Sequence, residues 1–391
     1  MYIVHCVNNY KKMSRKPQQG PLQGIRILDL SRLLPGPLAT QMLADLGAEV
    51  IKIEDPKAPD YTRFFPPLKG SQSLNYISIN RSKLSVSLDL KSDEGKEKFF
   101  KLVKTADIVV DSFRPGVLQK MGIDYAVAKI HNDKIIYVAV TGYGYSGAYK
   151  DKAGHDMNYL GYSGILGLTG DKEKPIIPAC QVADVAGGSY PAVVACLSAL
   201  WARERTGKGQ FVDVAMTDCV MPLLSMQFGE SLNTNIRHRR GEPMLSGGMA
   251  NYHLYKCKDE KWIALGSLEP KFWQGVCMML GKPDWMPRMM PIPEEVEKLK
   301  KDLQDIFITK TRDEWSAIAA PLDVCLTPIL ELEEVENDKH LIERDMFFEV
   351  EHADYGKVKG INQPFKFSET PAKPSWAAPL MGEDNTLLDN I

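Results

Sequence analysis

At 391 residues the chain exceeds one ordinary hydrophobic core and implies two domains. Its composition, 44% hydrophobic and 25% charged with a net charge of −2, is that of a globular chain. It lacks the basic surplus that nucleic acid or an anionic membrane would demand, so any anionic ligand must be held by local cations. Seven cysteines (Cys6, Cys180, Cys196, Cys219, Cys257, Cys277, Cys325) are scattered singly with no CxxC, which reads as reduced thiols in the cytoplasm and as no metal site.

In chain order, residues 1–20 read as a disordered leader without a secretory h-region, with Met13 as a second possible start. "GIRILDLS" (24–31) is a strand, "PGPLATQMLADLGA" (35–48) a helix opened by proline and closed by glycine, and "EVIKIE" (49–54) a strand. The pattern repeats: strand 83–90, helix 92–106 capped by Ser92, then strands 107–113 and 134–144. This order predicts an α/β fold, a doubly wound Rossmann-like sheet over 21–221. Residues 184–206 read as a buried, nearly all-apolar helix, and no apolar run is expected to reach the roughly 18 residues of a membrane span. Residues 222–243 read as a polar linker, 244–338 as a smaller α+β domain with helices at 271–281, 294–306 and 312–319, 339–360 as a second linker, and 361–391 as a return to the large domain.

Four stretches carry candidate chemistry. "GYGYSG" (142–147) fits a dinucleotide fingerprint but opens no apolar helix, so it reads as a turn rather than a nicotinamide site. "AGHDMNY" (153–159) sets His155 and Asp156 at a helix start, where capping alone would explain the aspartate. "DVAGGSYP" (184–191) places Asp184 ahead of the apolar helix, beside backbone N–H groups that could receive an oxyanion. "GSLEPKF" (266–272) puts Glu269 at a helix start, which the helix dipole favours in any case. Arg81, Lys83, Lys91 and Arg114 are the cations that could meet phosphates.

Taken together, "LSRLLPGPLATQMLADLGAEVIKIEDP", "VSLDLK", "DSFRPGVLQKMGI", "AGHDMNYLGYSGILG", "VADVAGGS", "RTGKGQFVDVAM" and "LGSLEPKFW" resemble the class III CoA-transferase superfamily, and within it the α-methylacyl-CoA racemase branch. The resemblance runs from about residue 21 almost to the C-terminus and includes "FITKTRDEW" and "DVCLTPILELEEV". It implies a large and a small domain, chains interlocked in an obligate homodimer, an acyl-CoA substrate and no metal or organic cofactor. It also implies that His155, paired with Glu269, and Asp184 exchange a proton at C2 of a 2-methylacyl thioester, His155 serving the S and Asp184 the R substrate. The transferase alternative makes Asp184 a nucleophile that forms an acyl anhydride while CoA passes between carboxylic acids. For coenzyme A the resemblance points to Lys83, Leu88, Asp89, Leu90, Lys91 and Arg114, and to Gly154, Asp156, Asn158 and Tyr159. Two departures stand out: Asp55 where racemases commonly carry arginine, and "GGMANY" in place of "GGAPFY" near the acyl pocket.

Overall fold

The computed structural model describes residues 18–389, so the predicted leader lies, through residue 17, outside the described residues. The chain divides into two compact units. The first combines the chain up to Thr141 with Gly188–Val214 and the segment from Met346 onward; the second comprises Gly142–Gly187 and Ala215–Asp345. The second unit thus takes in 142–187, which the sequence reading had kept with the sheet.

The first unit is built on six strands: β1 (Arg26–Asp29), β2 (Glu49–Glu54), β3 (Leu84–Ser87), β4 (Ile108–Asp111), β5 (Ile136–Thr141) and β6 (Phe211–Ala215), in the order β3-β2-β1-β4-β5-β6. The pairs β1–β2, β1–β4, β2–β3 and β4–β5 are parallel. These strands are short runs of Val, Ile and Leu because both faces are covered, leaving no solvent side to impose alternation. Leu28, Ile51, Val86, Val109 and Tyr137 are buried with Phe99 and Leu102 of the Asp93–Val103 helix. That helix starts where the Ser92 hydroxyl accepts the Gly95 N–H at 3.0 Å. The strand order reverses between β1 and β4, so their carboxyl ends flank the crevice where open α/β sheets bind ligands.

The α-helix Tyr190–Thr206 follows a π-helix, Ala183–Ser189. The combined 24-residue helix is long and apolar enough to cross a membrane by length and composition, which corrects the expectation that no segment would be. Ala192, Val193, Cys196 and Ala199 are nevertheless buried, against the Pro35–Asp45 helix and β5, as in a core helix. Nor is it buried all round: Tyr190, Val194, Leu197 and Trp201 form an exposed stripe at helical spacing.

In the second unit an antiparallel sheet orders Leu326–Pro328, Trp262–Gly266 and Tyr252–Lys256 side by side. Helices Pro270–Met279, Pro293–Phe307 and Arg312–Ala319 bury Trp273, Leu303, Phe307 and Trp315 against it. Residues 222–243 are not the irregular linker expected, because Ser225–Asn233 is a helix. None of its residues is buried within the chain, so no apolar period marked it in the sequence. In the first unit, 339–360 likewise contributes one strand and most of a second to an antiparallel pair, Phe347–His352 with Gly356–Ile361.

Candidate active site

Residues 142–162 build one wall of the site. "GYGYSG" forms turns, with Gly144 and Gly147 at positive φ, and no helix begins until Asp156–Tyr162. His155 is the residue before that helix, and its N–H donates to Asn158 Oδ1 at 3.0 Å. Asn158 therefore serves to hold His155. Tyr159 is buried and donates its hydroxyl to Gly154 O at 2.6 Å. A Cβ on Gly154 would come within 2.7 Å of the Tyr143 hydroxyl and of the Tyr159 ring, so glycine lets the chain pass them. Tyr143 packs edge-on against Tyr159 and Tyr162, while Lys152 donates to the Tyr162 hydroxyl at 2.9 Å and lies 4.0 Å from the Tyr149 ring.

Asp184 enters from the π-helix. Gly187 in that segment allows the Met216–Val220 helix to approach, since a Cβ there would meet Val220 at 2.5 Å. The Asp184 backbone N–H donates to Asp156 Oδ1 at 3.0 Å, which joins the two halves of the site. Burial, with the Asp156 charge second, pushes the half-buried Asp184 carboxyl up to about 7. A carboxyl so placed can deliver or accept a proton near neutral pH. The expected oxyanion donors after Asp184 are not free as a set, because the Asp184 N–H is taken by Asp156 and the Val185 N–H by Gln181 O. Spare N–H groups occur instead at Asp156 and Met157, where no hydrogen bond forms among the described residues.

Glu269 caps the Pro270–Met279 helix with its backbone, spends no side-chain bond on the cap and is exposed. Among the described residues it makes no ion pair with His155, so the expected pairing is absent within one chain; its charge acts on Cys325. Among the described residues no three His, Cys, Asp or Glu side chains converge as metal ligands.

The residues expected to bind coenzyme A in the first unit divide sharply. Lys83 is wholly buried, its ammonium donating to Asp29 (2.9 Å), Pro37 O (2.9 Å) and Asn80 (2.8 Å). All three protons are spent inside the fold, which corrects its assignment to a phosphate. Lys52 is equally occupied by Ser31 O and Asp60, and Arg81 by Asp45. Leu88 and Leu90 are core side chains, so only their backbone can face a ligand. Asp89 accepts the Lys91 N–H at 3.0 Å, while the Lys91 ammonium pairs with Asp55 at 2.9 Å. Asp55 thus stands as the partner of a cation rather than as a phosphate ligand. Arg114 is exposed just past β4. Arg32, absent from the sequence-based list, lies over the Tyr61 and Phe113 rings at the carboxyl end of β1, close enough for its charge to act on Lys91. Its position directly after a strand at the switch point was the available signal.

The first unit is thus a doubly wound sheet with Arg32 and Arg114 past the carboxyl ends of its strands, and the second carries His155 and a carboxyl raised toward neutral pH. The chain belongs to CoA-transferase family III, whose model it matches over residues 22–385. It is 35% identical to the alpha-methylacyl-CoA racemase of Homo sapiens, covering 93% of this chain and 91% of that protein. It is 31% identical to the formyl-CoA:oxalate CoA-transferase of Afipia carboxidovorans, covering 94% and 93%. A CAIB/BAIF family protein from Brucella suis superposes with a TM-score of 0.83 at 30% identity, covering 95% of this chain and 99% of that one. The two curated relatives are CoA-using enzymes of different kinds, a racemase and a transferase.

Proposed function

We propose that the protein racemises 2-methylacyl-CoA thioesters by 1,1-proton transfer between His155 and Asp184. One group removes the C2 proton, and the electron pair moves onto the thioester oxygen as an enolate. The other group then returns a proton to the opposite face, so bonds and charge balance without a redox step. In the S-to-R direction His155 takes the proton and Asp184, already protonated, donates; the reverse direction exchanges their roles. The N–H groups of Asp156 and Met157 offer donors for the enolate oxygen. Arg32, Lys91 and Arg114 are the cations offered to the coenzyme's phosphates. The observation that carries the reading is a carboxyl held near pH 7 whose backbone N–H is tied to Asp156, the residue that follows His155.

We further propose that the working form is a homodimer. An apolar stripe on Tyr190–Thr206, an unburied Ser225–Asn233 helix and a Glu269 with no His155 contact in its own chain support a site completed by a second copy. Free cysteines throughout the described residues support a reducing, cytoplasm-like compartment.

The transferase reading keeps Asp184 as nucleophile and draws on relatives such as the Afipia enzyme. Incubating an (R)-2-methylacyl-CoA alone separates them. A racemase brings it to a mixture of both configurations with no acceptor acid present, whereas a transferase leaves the configuration intact.

A further inference from the structure

We infer that Asp156 is a positioning residue for Asp184, its side chain tying the Asp184 backbone to the start of the His155 helix. The inference rests on Asp184 carrying a proton in the reaction proposed above. The two aspartates are 28 positions apart, and the Asp184 N–H to Asp156 Oδ1 bond of 3.0 Å joins two segments that are otherwise separate loops and helix starts. Since Asn158 holds the His155 N–H, the first turn of one short helix fixes the backbone at both reacting residues. Capping does not need this carboxylate, because His155 is the cap residue and Asn158 closes the cap on its N–H. Asp156 instead spends its oxygen on a residue outside its own helix.

The same carboxylate acts electrostatically. After burial, its charge is what raises Asp184, and a like charge disfavours ionisation of its neighbour. The Met216–Val220 helix packs on the Asp156–Tyr162 helix and carries Asp218, and the Asp156 charge adds to burial in raising Asp184. Within Ala183–Ser189 Asp184 is the one ionisable side chain. Asp156 thus combines two tasks, placement and proton poise.

The two tasks separate in two variants. Asp156→Asn retains an oxygen to accept the Asp184 N–H and removes the charge, while Asp156→Ala removes both. The full-length protein, labelled with 13C at aspartate carboxyls, is titrated by NMR, and Asp184 is identified by its loss in Asp184→Asn. The wild-type carboxyl should titrate near 7. In Asp156→Asn its midpoint should fall by about one unit or more, and the acid limb of the turnover profile should follow it. Asp156→Ala should turn over at least tenfold more slowly than Asp156→Asn, each measured at its own optimum. An Asp184 midpoint unchanged in Asp156→Asn, or equal turnover in the two variants, overturns the inference. The titration is independent of which reaction Asp184 serves, so a wild-type enzyme that fails to racemise while its Asp184 midpoint still moves would count against the racemase alone.

Discussion

Asp111 ends β4 with its carboxyl wholly buried; one oxygen accepts the Phe113 N–H at 2.8 Å and the other has no partner among the described residues. Burial pushes this acid up to about 7. The folded state therefore holds the proton more tightly than the unfolded chain does. Stability is lost as pH rises from about 4 to about 7, and the loss is complete above that range. Asp111→Asn should abolish this slope and gain about 1–3 kcal/mol over wild type at pH 8, with little difference at pH 4. Thermal unfolding at a series of pH values checks this, and a difference independent of pH would contradict it. At the proposed reacting centre, Asp184→Asn and His155→Gln each preserve size but remove the proton carrier proposed there. Each should lose roughly 10²–10⁴ in racemisation rate, and near wild-type turnover in either would reject that residue's assignment.

Lys52 and Lys83, both fully buried, anchor the strand ends of the first unit through Asp60 and Asp29. Burial lowers Lys83 to about 8, whereas for Lys52 the opposing burial is outweighed by Asp60 and Asp29. Losing one member of such a cluster leaves an uncompensated charge in the core. Lys83→Met should cost about 3 kcal/mol in denaturant unfolding while the folded variant binds CoA within about twofold of wild type. Unchanged stability with markedly weaker CoA binding would restore Lys83 as a ligand. This pair also shows where the sequence is readable. Strands and helices that bury a face announce themselves by period, which is why 83–90, 92–106, 294–306 and 312–319 read correctly or nearly so. The helix Ser225–Asn233 buries nothing in its own chain and left no period to read. His155 and Asp184, the proposed reacting pair, are read from their motifs alone. That Asp156 joins them, that Lys83 faces inward and that Asp55 neutralises Lys91 depend on contacts across 28 to 54 positions, which no local pattern encodes.

At the scale of the whole molecule, the exposed Val194 and Trp201 predict an extensive apolar interface between copies. Wild type should sediment as a dimer at micromolar concentration, and the double substitution Val194→Asp with Trp201→Asp should shift it toward monomer and lower activity. A folded, active wild-type monomer would contradict the dimer.

The central claim is that C2 of the acyl group, and not its thioester carbonyl, is where the enzyme acts. In deuterium oxide, a 2-methylacyl-CoA of either configuration should gain deuterium at C2 while the thioester stays intact, and hydroxylamine should trap no adduct at Asp184. A modified Asp184 seen by mass spectrometry, with no exchange at C2 and CoA passed to a free carboxylic acid, would contradict the racemase and establish the transferase.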